Sequence, residues 1–262
     1  MDFIETIPFS TGCAAIASHE CGLIAINKKA GRASHPNPYG AGGKPPMLRA
    51  KYNFGGEYYS WIGEDGAKRR LYLVNRLDSP TSGVIIAAEN EECAKLAREQ
   101  FKLKNVEKKY AAIVLGKVYP HAGLWKDRLE IRKSGGHLRS EQSHGGEARL
   151  ALLKYTVEEF DENGAGLSLL ALEPSTGITH QLRVQCASRM HPILDDATYG
   201  NFQMNKRMKL ASKISRLFLH CRSTRLKIAM DGADVDFLAE APLPDSFAKI
   251  IKFNPEIKKS FF

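Results

Sequence analysis

At 262 residues, 43% hydrophobic and 26% charged, the chain has the composition of an ordinary globular protein, long enough to bury a substantial core as one large domain or two small ones. Its longest apolar runs, such as GVIIAA and LSLLAL, stop far short of the roughly 20 residues of a spanning helix, and MDFIETIPFS lacks the basic head and apolar core of a signal peptide. Lys and Arg number 38 against 29 Asp and Glu, a formal net charge of +9 that suits a polyanionic partner. The expected setting is therefore intracellular and cytoplasmic, with no membrane partner and no obligatory protein partner.

In chain order, ECGLIAINKKAG reads as a strand over Leu23 to Asn27 running into a glycine turn, and HPNPYGAGGKPP is too rich in Pro and Gly to be regular. KYNFGGEYYSW has aromatics without a clean period. It reads as a loop with a short helix or hairpin, or as a flap ordered by substrate, since basic and aromatic residues interleave there. LYLV and GVIIAA are strands on either side of the loop VNRLDSPTSG. Residues 90–103 form a helix, with Asn90 as its cap, two glutamates in its first turn, and Cys93, Leu96, Ala97 and Phe101 on one face.

YAAIVLGKV is a further strand, and ARLALLKYTVEEF and GLSLLALEP form a strand pair joined by the turn DENGAG. A helix is expected from His180 to about Met190 with Thr179 as N-cap, although the alternation of Leu182 and Val184 also permits a strand. A second helix is expected over 203–216, with Leu210, Ile214 and Leu217 on its inner side and most of a basic run on the other. No linker is polar enough to split the chain, so residues 1–262 read as one mixed α/β domain.

The basic run is one-signed: from Ala197 to Met230 there are eight Lys and Arg residues and no acid. A solvated helix face normally mixes both signs, so nucleic acid is the expected partner here. Five cysteines form no C-x-x-C pair and eight histidines no H-x-x-x-H pair, so buried free thiols are expected and no metal site.

The loop Asn75 to Gly83 places a carboxylate, Asp78, between two strands. An aspartate before Ser-Pro-Thr-Ser-Gly is often a turn device that accepts backbone hydrogen bonds. Here Arg76 two positions earlier supplies a cation, Thr81 and Ser82 can buttress the carboxylate, and Gly83 allows close backbone approach. Such a loop holds a carboxylate rigidly, as nucleophilic or general-base chemistry requires.

RLDSPTSG resembles the H-R-L-D-x-x-T-S-G signature of the RluA-type RNA pseudouridine synthases. GLIAINKKAGRASHP looks like that family's opening strand and turn, EKKYAAIVLGKV and GGEARLALLKY like two of its strands, and TGITHQLRVQCASRMHPILDDATYG like its T-G-R-T-H-Q-I-R-V-H block. RLFLHCRSTRLKI and FLAEAPLPDSF fit its closing segment. These ordered blocks cover most of the chain between residues 20 and 247. The resemblance implies a pseudouridine synthase fold, a mixed and largely antiparallel sheet flanked by helices with a cleft across it. The implied reaction isomerises uridine within transfer or ribosomal RNA, with no metal and no organic cofactor.

Carried over by residue, the resemblance makes Asp78 the essential aspartate, Tyr110 the ring that stacks on the target base, and Arg183 the basic partner of the aspartate. Arg76 becomes the side chain that fills the space left by an extruded uridine. Extrusion costs a few kcal/mol, which an aromatic platform and a cation offset in part. Attack on the ribose, addition to the base and proton abstraction all remain open as routes for Asp78. The RNA surface is expected to include Lys109, His180, Lys206, Arg207 and Lys213, with Lys102, Lys104 and Lys108 near Lys109. The chain begins too near its first motif for the small N-terminal RNA-binding module of many relatives, so recognition is expected from the catalytic domain.

Asn75 stands where the signature has histidine, Lys29 where it has proline and Ile178 where it has arginine, and Gln185, Met190 and Asp195 also depart from it. The tract 39–70 follows the family least. These departures leave a second expectation open, a catalytically silent RNA-binding or chaperone protein that keeps the fold.

Overall fold

A computed structural model describes residues 2–37, 43–134, 137–143, 145 and 147–253. Its strands are β1 (Ala14–Ser18), β2 (Leu23–Lys28), β3 (Lys51–Asn53), β4 (Tyr58–Ile62), β5 (Lys68–Leu73), β6 (Ser82–Ala88), β7 (Glu107–Leu115), β8 (Ala122–Ser134), β9 (His137–Gln142), β10 (Arg149–Phe160), β11 (Leu167–Pro174), β12 (Leu219–Met230) and β13 (Ala233–Glu240). The α-helices are α1 (Glu91–Leu103), α2 (Gln181–Ala187), α3 (Phe202–Ser212) and α4 (Asp245–Ile251). This is the sheet-rich α/β architecture expected from the sequence. Contacts divide the chain into two compact units, Met1–Lys108 with Cys221–Pro242, and Lys109–His220 with Leu243–Phe262.

In the first unit β2 and β6 are the central strands. Their apolar runs are almost wholly buried, as expected of strands covered on both faces, and they pair antiparallel from Leu23 opposite Ala88 to Lys28 opposite Gly83. β1 adds to β2, and β5, β4 and β3 extend from β6 as an antiparallel meander. The hairpin allowed by the sequence at KYNFGGEYYSW is therefore formed; of the Pro- and Gly-rich stretch before it, residues 38–42 lie outside the described residues. β12 pairs with β13, whose alternation of exposed and buried residues from Asp234 to Glu240 leaves one face to water.

Helix α1 forms as read. Asn90 caps it, its side chain accepting from Cys93 N at 2.8 Å, and Lys104 ends it in the left-handed conformation with φ 62°. Cys93, Ala94 and Ala97 are its buried residues. Of the five free cysteines, Cys13, Cys93, Cys186 and Cys221 are buried, and burial pushes the Cys186 thiol up to about 12.

The second unit carries the antiparallel run β7-β11-β10-β8-β9. The pair β10–β11 and its turn follow the sequence reading. The hairpin β8–β9 has no counterpart in it. Ile113, Leu170, Leu172, Phe218 and Phe247 are among the residues of this unit's core, and Trp125 lies 4.3 Å from Tyr155, centroid to centroid.

Both expected helices of this unit need correction. α2 is shorter than expected and its N-cap is His180 at φ 56°, not Thr179; the Thr179 carbonyl instead accepts from the Ser140 hydroxyl. α3 ends at Ser212, its buried residues are Asn205 and Met208, and Leu210 is 60% exposed. Leu217 is buried but lies beyond the helix. Asn205 displaces the expected apolar stripe because its amide accepts from Asp195 N at 2.9 Å and donates to the Asp196 carbonyl at 3.1 Å.

Candidate active site

The loop between β5 and β6 is fastened by its backbone. Val74 N donates to the Ile86 carbonyl at 3.0 Å, and Asn75 returns the contact by accepting from Ile86 N at 2.7 Å. The Ser34 hydroxyl donates to the Leu77 carbonyl at 2.8 Å and accepts from Leu77 N at 3.1 Å. Gly31 N donates to the Ser79 carbonyl at 2.9 Å, and Thr81 N to the Asp78 carbonyl at 3.0 Å. The last of these closes a turn directly over the carboxylate-bearing residue, which is half-buried.

Lys28 completes this arrangement. The whole residue is buried, and its ammonium donates to the carbonyls of Arg32 at 2.7 Å, Ser79 at 3.1 Å and Lys29 at 3.2 Å. A buried ammonium is costly unless its donors are used. Here they tie the turn after β2 to the residue that follows Asp78. Gly83, at φ 110°, is forced by the next strand: a Cβ there would stand 2.1 Å from the Cys221 carbonyl oxygen.

Arg76 is exposed, with Nη1 at 3.3 Å from His35 Nε2 and 3.7 Å from Glu57 Oε1. Among the residues singled out from the sequence, Arg76 and Asp78 thus share one loop of the first unit. Lys109, Tyr110, His180, Arg183, Lys206, Arg207 and Lys213 belong to the second unit.

In the second unit Tyr110 pairs with Leu172 on β11 and is partly buried against the core, while its neighbour Lys109 is exposed. Arg183 is buried on α2. Its Nε and Nη2 donate to the two carboxylate oxygens of Asp196 at 2.7 and 2.8 Å, and its guanidinium lies 5.2 Å from the Tyr199 ring centroid. Asp196 is fully buried and its Oδ1 also accepts from Thr198 N at 2.8 Å and Tyr199 N at 3.0 Å. Burial by itself would raise its pKa, but the hydrogen bonds and charge of Arg183, with the two backbone donors, outweigh this and hold the carboxyl below its usual range. His180 joins the same group through a 3.0 Å hydrogen bond between Nδ1 and the Tyr199 hydroxyl.

The basic run from 197 to 230 divides. Lys206, Arg207 and Lys209 on α3, and Lys213 at its C-cap, are exposed. Arg216 is half-buried, its guanidinium 5.1 Å from the Phe247 ring centroid, and desolvation pushes its pKa down to about 10. Arg225 and Lys227 meet Asp236 on the neighbouring strand β13 at 2.6 and 3.4 Å, so an acid just beyond the run offsets part of its charge. Lys108 is half-buried, and desolvation lowers its pKa. Lys28, Ser34 and Tyr199 were not singled out from the sequence.

Residues 22–188, which contain Asp78, Tyr110 and Arg183, match the model of the family described as RNA pseudouridylate synthase. The chain belongs to this family. Its members are RNA-modifying isomerases. The tRNA pseudouridine synthase C of Haemophilus ducreyi is 32% identical over 207 residues, 76% of this chain and 79% of the relative. An uncharacterized RNA pseudouridine synthase of Bacillus subtilis, YhcT, is 32% identical over 85% of this chain and 66% of its own length. The ribosomal large subunit pseudouridine synthase C of Haemophilus influenzae is 34% identical over 65% of this chain, which spans about half, 52%, of that relative. The human RNA pseudouridylate synthase domain containing 1 shares the fold at a TM-score of 0.66 and 23% identity, over 91% of this chain and 87% of that one.

Among the described residues no helix is long and apolar enough to cross a membrane.

Proposed function

We propose that this chain isomerises uridine to pseudouridine in structured transfer or ribosomal RNA, residues 1–262 acting as one catalytic domain of a cytoplasmic enzyme. The observation that carries the reading is the loop at Asp78: its backbone is fastened to β6, to Ser34 and to the Lys28 ammonium, so a half-buried carboxylate is held in a fixed position within a matched family signature. A fixed carboxylate is what the chemistry needs, because a small misplacement erodes the advantage of proximity. The reaction breaks the bond between ribose C1′ and uracil N1, turns the base, and joins C1′ to C5; the proton lost from C5 is balanced by one gained at N1, and no co-reactant is consumed.

In this reading Asp78 acts on the extruded nucleotide as nucleophile or base, Tyr110 stacks on the uracil, and Arg183 supplies the cationic partner. Arg76 fills the gap left in the helix stack. His180, Lys109, Lys206, Arg207 and Lys213 contact the phosphates, which makes binding salt-sensitive. Relatives named for both transfer and ribosomal RNA support the substrate class without choosing between its members.

The test is pseudouridine mapping of RNA from cells lacking the protein, after incubation with the purified chain or with Asp78→Ala. New pseudouridine that disappears in the variant, with RNA binding retained, is the expected result. Binding with no product from the unsubstituted chain would overturn the proposal in favour of a silent RNA-binding protein.

A further inference from the structure

The tract that follows the family pattern least carries an aromatic cluster in the first unit. Tyr52 and Tyr59 face each other across the β3–β4 hairpin, with centroids 4.9 Å apart. His35 lies nearly parallel to Tyr52, at 5.3 Å and 16°. Phe54 meets Tyr52 and His35 edge-on, at 5.1 and 6.1 Å. The cluster is graded from inside to outside. Tyr59 is fully buried and its hydroxyl donates to the Ser34 carbonyl at 2.8 Å; Tyr52 is half-buried; Phe54 is 48% exposed. A phenyl ring half in water contributes little to the core, yet its two neighbours hold it in one orientation.

A fixed cation adjoins these rings. His35 Nδ1 lies 2.8 Å from the Pro36 carbonyl, which can only accept, so Nδ1 carries the proton and Nε2 accepts from Arg76 at 3.3 Å. Glu57 Oε1 lies 3.7 Å from the same Arg76 nitrogen. Glu57 is itself anchored: it has φ 53°, its carbonyl accepts from Leu73 N at 2.9 Å and from Arg98 at 3.3 Å, and its carboxylate lies 3.8 Å from Arg98 Nε. A half-exposed phenyl ring close to Arg76 matches an unpaired nucleobase next to the position that the extruded uridine vacates, since every base offers a π face.

We infer that Phe54, Tyr52 and His35, beside Arg76, form a stacking subsite for an unpaired nucleobase flanking the target uridine, and that this subsite sets which sequence contexts are modified. The inference rests on the proposed function for its substrate, but its test separates the two. Mixed-sequence single-stranded RNA carrying 2-aminopurine is titrated into the full chain and fluorescence is read. Quenching by the unsubstituted protein that is lost in Phe54→Ala, kept in Phe54→Trp and lost in Phe54→Leu is the expected pattern, because leucine keeps the bulk without the π face. In the modification assay Phe54→Ala raises KM about tenfold, leaves kcat within about twofold, and broadens the set of modified uridines.

Unchanged quenching and an unchanged set in Phe54→Ala overturn the subsite while leaving the activity standing. Equal rescue by leucine and tryptophan also overturns it, by reducing the ring to packing. Quenching with no pseudouridine formed overturns the activity and keeps the subsite.

Discussion

Around Asp78 in the first unit, the fixed parts are the backbone atoms of the loop. Six residues of the loop between β5 and β6, Val74, Asn75, Leu77, Asp78, Ser79 and Thr81, are tied by main-chain or Asn75 hydrogen bonds, and the buried Lys28 ammonium grips the Ser79 carbonyl. Around Arg183 in the second unit, the fixed part is the charged head of the side chain, held at two points by Asp196 in a buried ion pair. Fastening the main chain fixes where the carboxylate-bearing residue stands, as the proposed reaction requires. Fastening the head commits a guanidinium to one orientation. The two arrangements also fail differently: one loosens when a donor to a main-chain carbonyl is lost, the other when a buried charge loses its counter-charge.

The largest effect separating them is expected at Asp196. Asp196→Asn leaves the buried Arg183 guanidinium without this counter-charge, and removing one partner of a buried pair costs about 3–5 kcal/mol, read as a lower denaturant midpoint. The same pair makes the second unit acid-sensitive. Because the folded carboxyl sits below its usual range, its stabilisation is complete above the ordinary carboxylate pKa of about 4 and is lost as pH falls through the lower folded value. Asp196→Asn abolishes that part of the acid dependence; an acid-unfolding curve as steep as that of the unsubstituted chain would contradict this.

Next comes Lys28→Met, which keeps the buried stem and removes the donors of three carbonyls. A loss of about 2–3 kcal/mol is expected in chemical denaturation, together with a fall in kcat larger than any change in RNA affinity, since the loop rather than the RNA surface is released. An unchanged kcat would show that the loop holds without the ammonium. The smallest effect belongs to Asn75→Ala, which removes one 2.7 Å bond to Ile86 N and costs about 1 kcal/mol by thermal melting.

How much of this was legible depended on sequence distance. Helix α1 was readable because its cap, its acidic first turn and its apolar face are adjacent in the chain, and β10–β11 because its polar turn sits between two apolar runs. Hairpin β8–β9 was not, since the alternation of charge and bulk in AGLWKDRLEIRKS over Ala122–Ser134 has no apolar run to announce it. On α3 the buried position is held by an amide, Asn205, which hydrophobic spacing ignores. The same divide runs through the site. Arg76 and Asp78 stood out as one local motif, whereas the Lys28 contact to Ser79 spans 51 residues, and of the two adjacent lysines 28 and 29 nothing local marks the buried one. Asn75, a departure from the family signature, proves to be a tie between the loop and β6.

The enclosure of Lys28 also gives the molecule a built-in reporter. An amine with no exposure to solvent is out of reach of acylating reagents that label surface lysines such as Lys206 and Lys213, so mass-spectrometric labelling at position 28 would rise only as the loop opens, making its reactivity a clock for local unfolding around Asp78.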